Sequence, residues 1–253
     1  MAAAISVEDL WKSYGQVQAL KGISFQVQQG EVFGLLGPNG AGKTTAIEMI
    51  EGLRRIERGK VTVGGIDVGR DPQSARRAVG IQLQQAQFFD RLNLIELVRL
   101  FADLYHSDVD AYALLHRVGL LPKGMGYVKT LSGGQNRRFG IALALVNNPV
   151  ALFLDEPSTG LDPRARRSLW DLVASLKQEG RTVVLTTHYI EEAEELCDRV
   201  AIMDEGRLVA LDRPRTLIQQ LLDTGFHKEL QVLPADLEDV FLNLTGKKLA
   251  AGD

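Results

Sequence analysis

Cysteine is almost absent from the 253 residues: Cys197 stands alone, which excludes an internal disulfide and fits a reducing compartment. It reads as a small buried hydrophobe. Long apolar runs are missing too. The longest, such as 141–146, fall far short of the about 18 residues that a membrane-spanning helix needs, so any membrane role is expected to come through a partner. Neither sign of charge dominates, with 29 Lys and Arg against 32 Asp and Glu and a formal net charge of -3. The chain therefore has no general attraction for nucleic acid, and none is expected as a partner. Met1 to Ile5 carry no basic stretch and lead straight to Glu8 and Asp9, so they are not expected to act as a secretion signal. Internal repeats and low-complexity runs are lacking. What remains is the composition of an ordinary globular chain, 45% hydrophobic and 24% charged, long enough for one large domain or a domain with an appendage.

Against this plain background one stretch stands out. Gly37, Pro38, Asn39, Gly40, Ala41, Gly42, Lys43 and Thr44, followed by Thr45, fit the pattern G-x-x-x-x-G-K-S/T. An apolar segment at 32–36 reads as a buried strand before it, and Ala46, Ile47, Met49, Ile50 and Leu53 fall at the spacing of a half-buried helix after it. Strand, glycine loop and helix start together make an anion site. Glycines let backbone N–H groups turn inward, and the helix N-terminus adds partial positive charge. Lys43 is placed to reach the β- and γ-phosphates of a nucleoside triphosphate, and the Thr44 hydroxyl to ligate Mg²⁺.

The rest of the chain supports an α/β reading. Residues 5–36 read as short strands, with Tyr14 in a turn among them, either a platform for a nucleobase or a packed surface residue. Strand-like pieces follow at 60–63 and 66, a basic helix at 74–77, a strand at 78–81, and then a glutamine-rich segment at 82–87. From Asn93 to about Asn148 apolar residues recur at helical steps, which suggests an inserted helical subdomain. Strands at 150–154, 182–187 and 199–203 then alternate with helices at 163–178 and 189–196, as in a sheet of mainly parallel strands with helices packed on it. Residues 213–253 read as a weaker tail with a helical segment around 236–244.

Two further stretches carry chemistry. The strand at 150–154 runs into Asp155 and Glu156. A carboxylate at the end of such a strand can hold the Mg²⁺ that the phosphates carry, and its neighbour can orient or deprotonate an attacking water. Asp162 and Pro163 then cap and start a helix. In Leu131-Ser132-Gly133-Gly134-Gln135, Ser132 and Gln135 stand in capping-box register. Two glycines in a first turn cost about 1 kcal/mol each against alanine. They open the backbone N–H groups to something anionic, which reads as a second phosphate-facing helix start. One chain cannot easily place two such starts on one nucleotide, but two facing chains can.

The phosphate loop, the 131–135 stretch and the Asp155-Glu156 strand, in that order, resemble the nucleotide-binding subunit of an ABC transporter over residues 5 to about 211. The resemblance implies a P-loop NTPase core with an antiparallel β subdomain and an inserted helical subdomain at about 88–148. A domain over 1–211 and a partly helical extension over 212–253 are expected. It implies ATP and Mg²⁺ as ligands, with Tyr14 stacking on the base. Gln84 takes the role of the glutamine that contacts Mg²⁺ and the membrane partner, with Gln82 and Gln85 as alternative registers. Ser132, Gly134 and Gln135 meet the γ-phosphate held by the opposite subunit. Residues 158–162 match the D-loop, His188 matches the switch histidine, and Asn136 stands where the family often has a basic residue.

The segments 118–120, 131–149 and 237–246 are similar to ATPases of bacterial drug- or sodium-export systems. This implies a homodimer, a separate integral membrane permease, and a peripheral place on the cytoplasmic face of the cell membrane. An importer ATPase is the near alternative. Soluble ABC ATPases of ribosomes carry two cassettes, and those of DNA repair need a long heptad insertion for which the distance from Thr44 to Leu131 leaves little room. A monomeric phosphate-loop kinase is a third reading, and residues 131–135 count against it.

Overall fold

Buried Ile5, Val7 and Leu10 face buried Ile23, Phe25 and Val27 across the antiparallel pair β1 (Ala3–Tyr14) and β2 (Val17–Gln28). The computed structural model describes residues 3–82, 89 and 91–226. These two strands are twelve residues each, where the sequence suggested short ones. The cause is a bulge. Asp9 adopts φ +44° and the register shifts between Val7 and Leu10, which flips the apolar phase and breaks the alternation in mid-strand. Tyr14 is consequently the last residue of β1, paired with Val17, and not part of the turn itself.

After β3 (Val32–Leu36) come α1 (Lys43–Ile50), β4 (Arg58–Val63), β5 (Ile66–Asp67), α2 (Pro72–Ala78) and β6 (Val79–Gln82). The helical stretch holds α3 (Leu94–Tyr105), α4 (Ala111–Arg117) and α5 (Gly133–Ala144). Asn93 and Glu96 close the start of α3 with a reciprocal capping box. The chain then alternates through β7 (Ala151–Asp155), α6 (Pro163–Gln178), β8 (Val183–Thr187), α7 (Ile190–Leu196) and β9 (Arg199–Asp204). It ends with β10 (Arg207–Asp212), where the sequence reading named no element, and α8 (Pro214–Asp223), which it did not separate from the tail. The helical segment expected at 236–244 lies outside the described residues.

Two sheets result. The antiparallel one has the order β2-β1-β4-β5, and the larger has the order β10-β9-β3-β8-β7-β6, parallel except for the β10 edge. Strands β3, β7 and β8 are buried on both faces, which is why they read as unbroken apolar runs. Val32, Leu152, Leu154, Val183 and Leu185 belong to the core shared with the helical segments. Phe33, Leu35, Phe153 and Val184 belong to the core shared with α1 and the antiparallel sheet. Gly34 is small because a Cβ there would lie 2.7 Å from the Sγ of buried Cys197. Contacts divide the chain into two units, Met1–Leu217 and Ile218–Asp253; of the second, the structure describes the C-terminal part of α8 and the residues to 226.

Candidate nucleotide site

The register of the parallel sheet assembles the site. Leu36 pairs with Thr187, and Asp155 pairs with Thr186, so β3, β7 and β8 end side by side. The phosphate loop, Glu156 and His188 are the residues that follow those three ends. The carboxyl edge of a parallel sheet is where such folds bind ligands, because loops diverge there around helix N-termini.

Within the loop, Gly42 adopts φ +99°, and a Cβ on it would meet the Ala19 carbonyl at 2.5 Å. Both the conformation and the space demand glycine. Gly42 is also the N-cap of α1 and offers no side chain to its first turn, so the N–H groups there are left for a ligand. The hairpin turn between β9 and β10 braces the loop from behind: Gly206 N donates to Ala41 O at 3.1 Å, and its carbonyl accepts from Lys21 N at 2.8 Å. Lys43 is buried and curls over its own loop, donating to Gly37 O at 2.8 Å and Pro38 O at 3.1 Å. Both acceptors are neutral. Burial holds the Lys43 pKa below its ordinary value, against the attraction of Glu156 and Asp155. An anion beside it would relieve that cost. Thr44 is exposed on the first turn of α1, and Thr45 is half-buried next to it.

Asp155 and Glu156 engage different partners. The Thr186 hydroxyl donates to Asp155 Oδ1 at 2.5 Å and accepts from Glu156 N at 3.0 Å, so one side chain orients both acids. Glu156 takes the uncommon φ of +44°, which turns the chain sharply after the strand. Its Oε1 lies 3.3 Å from His188 Nδ1, and its Oε2 accepts from Thr159 Oγ1 at 3.2 Å. Arg137 on α5 also sits in the field of this pair; burial lowers its pKa, while Asp155 and Glu156 act in the other direction. The sequence reading missed Thr186 and Arg137, and it placed Thr159 in the D-loop match without foreseeing its contact with Glu156. The signal for the first was two threonines closing an otherwise apolar strand.

The Ser132 turn behaves as a capping box: Gln135 N donates to Ser132 Oγ at 3.4 Å and Ser132 N donates to Gln135 Oε1 at 3.0 Å. Gln135 Oε1 accepts in addition from Lys123 Nζ at 2.9 Å. The two glycines differ from the expectation that both serve to expose the backbone. A Cβ on Gly134 would lie 2.8 Å from Ala165 Cβ on α6, so packing alone requires it to be small, whereas Gly133 is exposed and has room. Among the described residues no hydrogen bond joins this turn to the phosphate loop of the same chain. Tyr14 is 41% exposed at the end of β1, with the Lys12 ammonium 5.2 Å and the Arg54 guanidinium 5.4 Å from its ring centroid. Gln84 lies outside the described residues, while Gln82 is buried at the end of β6.

Glu51, at the C-cap of α1, is 2% exposed. Burial pushes its carboxyl up to about 8 from the ordinary 4.5, helped by the negative charge of Asp155 and then of Glu48. A folded-state value above the unfolded one means that the native protein holds this proton more tightly. Its contribution to stability is complete below pH 4.5 and is lost as pH rises through about 8. Glu51→Gln removes that dependence. The stability gained by the variant over wild type is expected to grow between pH 5 and 8 by about 1.4 kcal/mol per unit or somewhat less. Denaturant unfolding at several pH values checks this, and a pH-independent difference contradicts it.

Comparison with known proteins is consistent with this geometry. Residues 20–159 match the model of the ABC transporter family. The linearmycin resistance ATP-binding protein LnrL of Bacillus subtilis is 37% identical over 243 residues, covering 94% of this chain and 77% of that protein. A Nod factor export ATP-binding protein I of Rhizobium etli is 43% identical over 225 residues, covering 87% and 71%. Among solved structures, an ATP-binding subunit of an ABC transporter superposes with a TM-score of 0.77 at 28% identity, covering 96% of this chain and 99% of that one. A dimeric post-hydrolysis state of the cassette MJ0796 bound to ADP and Pi superposes at 0.73 with 26% identity, covering 83% and 98%. The chain belongs to the ABC transporter family, as an ATP-binding and ATP-hydrolysing subunit.

Proposed function

We propose that two copies of this chain, arranged head to tail, enclose two ATP molecules and hydrolyse them to drive export through a separate membrane permease. The observation that carries the shared site is the Ser132 turn. It is an exposed helix start, and no hydrogen bond among the described residues ties it to its own phosphate loop. A second copy can present that turn from outside, so that Ser132, Gly134 and Gln135 of one chain face the triphosphate held by residues 37–45 of the other.

In this reading the uncapped first turn of α1 and the Lys43 ammonium bind the phosphates, and Tyr14 stacks on the base. Asp155 and Thr44, with Gln84, hold Mg²⁺. The donors suit a hard cation: they are oxygens, and one of them is already fixed by Thr186. When bound, the ion offsets charge on the phosphate oxygens. Glu156 accepts a proton from the water that attacks in line at the γ-phosphorus. Thr159 and His188, on separate segments, hold the two oxygens of that carboxylate. Closure of the pair around ATP and its reopening after hydrolysis move the permease between states.

Support for export comes from relatives named for drug resistance and Nod factor export. The cassette domain spans 1–211, with 88–148 as its helical subdomain, and 212–253 is an extension. No helix among the described residues is long and apolar enough to cross a membrane, which suits a peripheral subunit docked on the cytoplasmic side of the permease. Mild detergent extraction of the tagged chain with Mg²⁺ and ATP is expected to yield a polytopic membrane protein in fixed ratio. Vesicles holding the pair are expected to move cargo outward. Ribosomes or DNA in place of the membrane protein would contradict the reading, and inward movement would replace export by import.

A further inference from the structure

Glu192 is 0% exposed in the first turn of α7, four residues after His188. Its Oε1 accepts a hydrogen bond from the hydroxyl of Ser158, itself 0% exposed, in the turn between β7 and α6. The Trp170 indole of α6 donates to both groups, at 3.1 Å to Ser158 Oγ and 3.3 Å to Glu192 Oε1. The second oxygen, Oε2, is buried with no hydrogen-bond partner among the described residues. A half-satisfied carboxylate in a core costs free energy, and apolar residues of similar volume commonly serve stability better. The favourable place of an acid at a helix start does not account for it, because exposed Glu191 already supplies one in the same turn.

What the bridge joins gives it a purpose. Glu156 is held on one side by Thr159, the neighbour of Ser158, and on the other by His188, four residues before Glu192 on the segment that leads into α7. The Ser158–Glu192 bond therefore fixes the spacing of the two segments between which the Glu156 carboxylate is aimed. We infer that Glu192 is a positioning residue for hydrolysis, locking the Thr159 turn to the His188 segment so that Glu156 keeps its orientation toward the attacking water. This rests on the reading of Glu156 as the base.

The test is steady-state ATPase, ATP affinity and thermal unfolding of the full chain carrying Glu192→Met, Glu192→Gln, Ser158→Ala and the Ser158→Ala/Glu192→Met pair. Met keeps the volume and removes the acceptor. It is expected to lower kcat about tenfold or more, since misplacement of about 1 Å at a reacting group can cost 10²-fold. Affinity for ATP is expected to stay within about twofold and Tm to stay level or rise. Gln keeps an oxygen for Ser158 and is expected to stay within about threefold of wild type. The double variant is expected to be no slower than Ser158→Ala alone, because both changes cut one bond. A wild-type kcat for Glu192→Met overturns the inference, as does a loss of Tm and affinity in step with kcat. Glu156→Gln separates the two levels: if it turns over normally, the reading of Glu156 fails and takes the inference with it. If Glu156→Gln is inactive while Glu192→Met is fully active, the inference alone fails.

Discussion

Glu156→Gln is expected to lower ATP turnover by about two to four orders of magnitude, the usual contribution of a positioned acid–base group, while ATP binding persists. Glutamine has the shape of glutamate, so the oxygen that accepts from Thr159 can be retained and the neighbouring turn need not move. What disappears is the capacity to take a proton from water. His188, at 3.3 Å from the other oxygen, cannot replace it from the same place. ATP that binds but is not consumed holds the closed pair together, so an ATP-bound dimer accumulates. Rapid-quench turnover and equilibrium nucleotide binding on the same preparation check both halves. Unchanged turnover, or loss of binding in proportion to turnover, contradicts the assignment.

Lys43→Ala is expected to act at the earlier step. A charge-assisted hydrogen bond contributes about 1.5–3 kcal/mol, so losing those of the ammonium to phosphate weakens ATP binding by about 10- to 100-fold and takes hydrolysis below detection. The fold is expected to survive. The ammonium pays for its burial with a lowered pKa, and among the described residues its hydrogen bonds run to two carbonyls of its own loop. Thermal unfolding without nucleotide should stay within about 2 °C of wild type, whereas the rise in Tm that saturating ATP gives wild type should vanish. A variant that keeps wild-type ATPase activity refutes the phosphate-loop assignment.

Local chemistry was legible in the sequence wherever one side chain or one period decides the outcome. Pro163 and Asp162 marked the start of α6 to the residue, and the apolar runs at 32–36 and 150–154 marked strands buried on both faces, although Val150 proves to lie just before β7. What was not legible depends on residues distant in the chain. The bulge at Asp9 hid the length of β1. Gly134 owes its size to Ala165, and Gln135 is tied to Lys123, neither of which a capping pattern reveals. The orientation of both acids by Thr186 needs the pairing of β7 with β8, and the raised carboxyl of Glu51 needs its burial against the charge of Asp155.

Whether one nucleotide is gripped by two copies can be read by cross-linking. Asn39 in the phosphate loop and Ser132 at the start of α5 are both exposed, and the native Cys197 is buried, with burial raising its thiol pKa and keeping it inert. Chains carrying Asn39→Cys and chains carrying Ser132→Cys, each with Glu156→Gln, are mixed and treated with a short thiol–thiol linker. With Mg²⁺ and ATP the mixture is expected to give covalent dimers that neither variant gives alone and that fade without nucleotide. A mixture that binds ATP and yet runs as monomer after linking contradicts the shared site.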